Sequence, residues 1–486
     1  MRKFENQVQL VKYEILKKIS EYSFNNSLDG HIIDIPKIVN PGPDPRFRCC
    51  VYHERAVSTE RVKMALGGDK EDPNLVEVLD SACDQCPTNR FTITESCRGC
   101  LSHRCSLSCP KDAIYIRNQK AHIDYSKCIE CGKCKEACPY NSIIDTMRPC
   151  QRACPTNAIS INNLKKATIS YKDCIQCGAC VYQCPFGAIQ DKSEIVDVIE
   201  ELNKSSKDKN LSVYAILAPS FSTQFNYIDL EKVIKALKII GFKDVVEVAL
   251  GADLVTIWEG EEFKSHIAEH SYMTTSCCPA FVNYIHKKFP DQIHNISSTV
   301  SPMIAISQII KRMDQDAKVV FIGPCIAKKG EKNLNSVKGV TDYVITFEEL
   351  AAIIDAKQIN FEKIQANPLN NSTEKGRGFA ASGGVANAIS NYIKLKELDL
   401  EFKPILCSGI KEAKKVLTMA KLGKLQGNFI EGMACNGGCI KGPVTMHYGN
   451  KDKKSLENYS KLAKEKNPVS ATEIFNTENI MKYNPL

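Results

Sequence analysis

Three short cysteine runs constrain this chain more than any other feature: CRGCLSHRCSLSCP at 97–110, CIECGKCKEACP at 128–139 and CIQCGACVYQCP at 174–185. The last two fit C-x2-C-x2-C-x3-C-P without a mismatch, and the first carries two additional residues before its third cysteine. Loops of this kind let three thiolates converge on one iron–sulfur cubane, while the fourth cysteine, just before proline, reaches the neighbouring cluster. Structural thiols or a zinc ribbon are the alternative, but zinc sites use ligands two and two rather than three plus one.

Cross-ligation then assigns Cys97, Cys100 and Cys105 with Cys138 to one cluster, and Cys128, Cys131 and Cys134 with Cys109 to a second. A half-motif, CQRACP at 150–155, precedes the third run, so Cys174, Cys177 and Cys180 are expected to take Cys154. Cys150 and Cys184 remain, and the pair in CDQCP, Cys83 and Cys86, completes a fourth cluster by arithmetic alone. Cys49 and Cys50 are left over, as half-buried thiols leading into a helix or as further ligands. A row of cubanes passes single electrons with little reorganisation, so this third of the chain reads as a wire.

The chain has 486 residues, 24 of them cysteine, and 18 of those fall between Cys49 and Cys184. Its length supports two or three cores. No run reaches the ~20 apolar residues of a membrane span. The opening MRKFENQVQLVKYEILKKIS alternates charged and apolar residues and lacks the core of a signal peptide. A cytoplasmic protein with reduced thiols and no membrane partner is the expectation. The formal charge of +8 is scattered among 56 acidic residues without a basic block, which argues against nucleic acid. Clusters at roughly −2 each with their thiolates offset that excess.

From about residue 211 the pattern changes to short apolar runs, such as LSVYAILAPS and KVVFIGPC, alternating with helical stretches at Leu230 to Ile240 and Ser301 to Met313. This predicts α/β sheets in two lobes, joined to the wire by the polar linker at 204–212. Five of its six cysteines stand beside turn residues at predicted strand ends: Cys277 and Cys278 before Pro279, Cys325 after Pro324, and Cys435 and Cys439 flanking Gly437 and Gly438. Strand ends of an α/β sheet are where ligands bind. Cys407, in an apolar run, reads as a core thiol.

The segments TSCCPAF, GPCIAKKGE and EGMACNGGC resemble, in order and spacing, the three signatures of FeFe hydrogenases, over about residues 211–450. The resemblance implies α+β ferredoxin-like N-terminal cluster domains followed by a two-lobed α/β catalytic domain. Its expected divisions are an N-terminal segment over 1–80, about four 4Fe-4S clusters over 81–203, the catalytic domain over 211–450 and a tail over 451–486. It further implies that Cys278, Cys325, Cys435 and Cys439 hold a cubane. Cys439 would bridge to a two-iron unit carrying carbonyl, cyanide and a dithiolate amine, the pair together forming the H-cluster. Cys277 becomes the last proton carrier, behind a relay of Glu259, Glu262 and Ser297. Lys328 would donate to a cyanide, and Ser220 and Met433 would line the two-iron pocket.

The implied activity is reversible conversion of dihydrogen to protons and electrons, with a ferredoxin or similar carrier as electron partner and dedicated maturation proteins to supply the two-iron unit. This chain departs from the family's best-studied group at Ala280-Phe281, at Gly323, and at KGPVT after the last signature. His266 stands where an arginine closes the outer end of the relay, either as a pH gate or as a surface histidine. The alternative reading is a non-catalytic hydrogenase-like iron–sulfur protein, in cluster assembly or hydrogen sensing. Such a protein has no use for Cys277, Lys328 or the relay.

Overall fold

The computed structural model describes residues 4–473 and residue 475. Residues 1–3 of the N-terminal segment, and 474 and 476–486 of the expected tail, lie outside the described residues. Helix α1 (Gln7–Phe24) begins where the Asn6 side chain accepts the Gln9 N–H. It buries Val11, Ile15, Leu16 and Ile19 on one face, against the helices Ile195–Ser205 and Phe347–Ala356. Its apolar face therefore belongs to the core of the C-terminal half. Helix α2 (Val51–Ala65) starts at Cys50, whose sulfur accepts the His53 N–H.

The cysteine-rich region contains two similar units, one inserted in the other. In the outer unit, strand β1 (Val76–Val78) precedes Cys83 and Cys86, and the chain then leaves for some sixty residues. The inner unit fills that gap with β2 (Phe91–Ile93), the hairpin β3 (Ile114–Arg117) and β4 (Lys120–Ile123), and β5 (Ile143–Asp145), which returns antiparallel to β2. The outer unit resumes at Cys150 with the hairpin β6 (Ile159–Ile161) and β7 (Ala167–Ile169), and closes when β8 (Ile189–Asp191) pairs antiparallel with β1. CDQC and CQRACP are thus the two halves of one cysteine motif interrupted by a domain.

Beyond helix α3 (Ile195–Ser205) the chain builds two parallel sheets. The first has strand order β10 (Asp244–Glu247), β9 (Val213–Leu217), β12 (Lys318–Gly323), β13 (Tyr343–Thr346), with Ala215 opposite both Val245 and Val320. The second has the order β11 (Met273–Thr274), β15 (Phe429–Met433), β14 (Pro404–Ser408), with Ile430 opposite Thr274 and Ile405. Near-continuous burial of β9 and β12 and full burial of β15 follow from helices covering both faces. Helix α4 (Val248–Glu269) contacts β10 of one sheet and β11 of the other. Its Gly251 and Gly260 allow the close approach of the Pro302 backbone and the Tyr392 ring.

Candidate functional site

The five strand-end cysteines meet. Ser220 follows β9, Cys277 and Cys278 follow β11, Cys325 follows β12, and Cys435 and Cys439 follow β15, all leaving the C-terminal ends of parallel strands. Together with Lys328 and Met433 they line one cavity between the sheets. Cys278 is the N-cap of helix α5 (Pro279–Lys288), and Pro279 at its first position sets the entry direction. Gly437 and Gly438 have φ of +89° and +92°, and a Cβ on Gly438 would stand 2.6 Å from the Ser382 nitrogen. Only glycine permits the turn that brings Cys439 back to face Cys435.

Burial, followed by the neighbouring thiols, pushes the Cys325 thiol up to about 11 and the Cys439 thiol to about 12. Cys435 rises well above the ordinary thiol range for the same reasons. Bare thiolates repel one another here, whereas an iron core between them reverses both effects. Two further features fit a bound inorganic group. The Ser220 hydroxyl is fully buried with no hydrogen-bond partner among the described residues, and the deeply placed Cys439 still faces open space within the cavity. The donor set suits a cubane with an adjoining group.

Cys277 lies beside this set, its thiol raised by burial and then by the charge of Glu259. Glu259 and Glu262, one helical turn apart on α4, point the same way. The Glu259 carboxylate accepts from the Ser276 N–H at 3.3 Å, and its Oε2 has no partner. Ser297 stands beside Glu262: its hydroxyl donates to that carboxylate at 2.7 Å and accepts the Thr299 N–H at 3.2 Å. Glu262 accepts as well from the Ser298 N–H at 2.7 Å and the Thr299 hydroxyl at 3.1 Å. Burial first, then the charge of Glu262, pushes the Glu259 carboxyl up to about 8. His266 Nε2 meets the Tyr272 carbonyl at 3.1 Å, and its ring stacks on His270 with centroids 4.5 Å apart. His270 is followed by His294 at 5.3 Å. Lys328 Nζ donates to the Cys277 carbonyl at 3.3 Å and pairs with buried Glu331 at 2.7 Å.

The structure brings the accessory cysteines of each unit close together. Cys97, Cys100, Cys105 and Cys138 line one small cavity. Cys134 feels the charges of Cys128 and Cys131, and Cys109 packs in the same cluster of side chains. Cys180 feels Cys177, Cys174 and Cys154. Cys150 feels Cys184, Cys86 and Cys83. Cys177 in turn lies within electrostatic reach of Cys278, and Cys435 within reach of Cys177, so the outer unit abuts the strand-end cavity. Cys407 is buried in β14, apart from these groups.

Sequence reasoning missed a repeat that the structure makes plain. Cys109, Cys138, Cys154 and Cys184 each precede proline, and each sulfur accepts the backbone N–H four residues on, from Ala113, Ser142, Ala158 and Ala188 at 3.2–3.4 Å. The residue before each donor has positive φ: Asp112, Asn141, Asn157 and Gly187. The pattern C-P-x-[D/N/G]-[A/S] would have revealed four equivalent loops. Glu331, Ser276 and Thr299 also escaped notice, because neither their burial nor their neighbours are visible in spacing.

Comparison with known proteins agrees with this architecture. Residues 211–443 match the C-terminal domain of the iron-only hydrogenase large chain, 91–139 a 4Fe-4S dicluster domain and 143–195 an LdpA iron–sulfur cluster-binding domain. Iron hydrogenase 1 of Clostridium pasteurianum is 29% identical over 437 residues, covering 79% of this chain and 75% of its own. The periplasmic [Fe] hydrogenase large subunit of Nitratidesulfovibrio vulgaris is 32% identical over 375 residues, covering 66% and 85%. A cytosolic Fe-S cluster assembly factor, NAR1 of Kluyveromyces lactis, is 31% identical over 87 residues, covering 18% and 19%. The chain belongs to the iron-only, or FeFe, hydrogenase family, with ferredoxin-like 4Fe-4S domains ahead of its two-lobed hydrogenase domain. Among the described residues no helix is long and apolar enough to cross a membrane.

Proposed function

We propose that this protein is a working FeFe hydrogenase, interconverting dihydrogen with protons and electrons and exchanging electrons with a ferredoxin-like carrier through four 4Fe-4S clusters. In this reading the wire spans about 81–203 and the catalytic domain 211–450. Cys278, Cys325, Cys435 and Cys439 hold the H-cluster cubane, which with its two-iron unit supplies the metal site where protons and electrons combine. Every other task falls to side chains. The observation carrying the proposal is the placement of Glu262, hydrogen-bonded by Ser297, next to the wholly buried Glu259 one helical turn away, with Cys277 beyond it in the cavity wall.

Each member suits its place. Glu262 accepts from the Ser297 hydroxyl, which itself accepts the Thr299 N–H and so donates and accepts at once. Glu259, raised to about 8, gives and retakes a proton near neutral pH. Cys277 carries the proton across the last gap at its sulfur. Lys328, paired with Glu331, keeps a positive charge in the wall. The likeness to an assembly factor favours the second reading, a non-catalytic relative; a protein of that kind has no need for a buried acid chain aimed at the cavity. Cys277→Ala separates the readings. The variant is expected to keep its metal complement and lose hydrogen evolution by at least about a hundredfold. Undiminished evolution would remove Cys277 from the mechanism, and absence of evolution from both proteins, each fully loaded, would favour the second reading.

A further inference from the structure

Cys49 and Cys50 take no part in the five cysteine groups above, yet their surroundings are organised. Cys49, exposed to solvent, has its sulfur 3.3 Å from His53 Nδ1. The other ring nitrogen of His53 lies 2.7 Å from the Ser81 carbonyl and 3.4 Å from an Asp84 carboxylate oxygen. Both neighbours accept hydrogen bonds, so Nε2 carries the proton of the neutral ring, and Nδ1 is left with a lone pair directed at the Cys49 thiol. A thiol, a base and a carboxylate that steadies the charged base form the arrangement that activates a nucleophile.

A second thiol is in place. Cys50 Sγ stands 4.0 Å from Cys49 Sγ and accepts the His53 N–H at 3.4 Å as the cap of the fifteen-residue helix α2. That N–H, as the leading cause, holds the Cys50 thiol below its ordinary value. The segment is pinned from both sides: Arg48 donates to the Phe186 carbonyl at 3.0 Å and pairs with Asp84 at 3.5 Å. Asp84 itself lies between Cys83 and Cys86. The pair thus sits directly against the loops of the outer cysteine unit, at the surface.

We propose that Cys49, His53 and Asp84, with Cys50 as second thiol, form a thiol–disulfide exchange site whose substrate is an exposed, low-molecular-weight disulfide. Cys49 Sγ attacks one sulfur of the external disulfide while its proton passes to His53 Nδ1. The external S–S bond breaks, and the departing thiolate takes that proton from His53. Cys50 Sγ then attacks Cys49 Sγ, the mixed disulfide breaks, and the second thiol leaves with the Cys50 proton. Two electrons pass from the cysteine pair to the external disulfide, leaving two free thiols and a Cys49–Cys50 bond. Adjacent Cα atoms stand about 3.8 Å apart, short of the usual disulfide span of about 4.4–6.8 Å, so the internal bond is strained, forms under an excess of the external disulfide and is readily reduced once that excess is removed. The neighbouring second thiol is what distinguishes this chemistry from acyl transfer.

The test is anaerobic incubation of the iron-loaded full chain with oxidised glutathione, followed by acid quenching and peptide mapping by mass spectrometry. Cys49 is expected to react about tenfold faster than an unassisted peptide thiol and to proceed to the Cys49–Cys50 disulfide. Cys50→Ser should stop at the glutathione adduct on Cys49, and His53→Gln and Asp84→Asn should each slow adduct formation about tenfold with iron content unchanged. Glutathione spread over several cysteines, an unreactive Cys49 in the wild-type chain, or equal rates with and without His53 would overturn the proposal.

Discussion

Glu259 shows how one side chain's surroundings set its chemistry. It is wholly buried, one carboxylate oxygen has no partner, and burial with the charge of Glu262 lifts it from 4.5 to about 8. Because the folded value lies above the unfolded one, its contribution to stability is full at pH values below about 4.5 and is lost as pH rises toward about 8. Glu259→Gln should remove that slope from an anaerobic denaturant titration repeated across this range. It should also keep the metal complement and lower hydrogen turnover by two orders of magnitude or more. A variant that turns over at the wild-type rate would exclude Glu259 from the path. The i, i+3 spacing of Glu259 and Glu262 was legible, but their burial was not, since a pair of glutamates at that spacing usually lies on a solvated face.

At the scale of elements, the interrupted motif explains what cysteine arithmetic left open. The spacing C-x2-C at Cys83 and x3-C-P at Cys150 belongs to one loop because β1 pairs with β8 around the inserted unit. Local spacing revealed each half, but it could not reveal that sixty residues of folded chain separate them. The fourth group then predicts about sixteen accessory irons beside any held in the strand-end cavity, against about twelve for three clusters. Cys150→Ser should lower the count by up to about four, and an unchanged count would show that Cys150 is not a ligand. The strand ends of the second half were more legible: apolar runs stopping at Pro219, Pro279 and Pro324 marked where the backbone leaves each sheet. His266 was placed beside the relay by position alone. The stack it forms with His270 and His294 depends on a turn at 270–272 and on the 3-10 helix Pro290–Asn295, and no periodicity announced it.

For the whole molecule, the N-terminal helix is the least legible part. Its apolar residues Val11, Ile15, Leu16 and Ile19 recur at helical spacing, but that spacing does not show that they enter the core of the C-terminal half. A buried charge network secures this junction. Asp191, at the end of the outer cysteine unit, bonds Lys12 of α1 at 2.7 Å and Lys329 of the C-terminal half at 2.8 Å. Lys12 also pairs with Glu348 at 2.8 Å. Burial opposes ionisation of Asp191, but the two lysines outweigh it and hold the carboxyl well below the usual carboxylate range. Its stabilising contribution is therefore present above that range and lost as pH falls through the depressed value. Asp191→Ala leaves two buried lysines short of a partner, and should cost about 3–5 kcal/mol in denaturant unfolding near neutral pH. A change of only a few tenths would mean that the network does not hold the parts together.

The central claim is that the strand-end cavity holds a two-iron unit next to its cubane and turns over hydrogen there. An infrared spectrum of the protein, made anaerobically with the maturation proteins, tests it most directly. Carbonyl and cyanide bands that shift on exposure to hydrogen are the predicted result. A protein with its full complement of cubanes and no such bands, after insertion of the precursor had been attempted, would contradict the account.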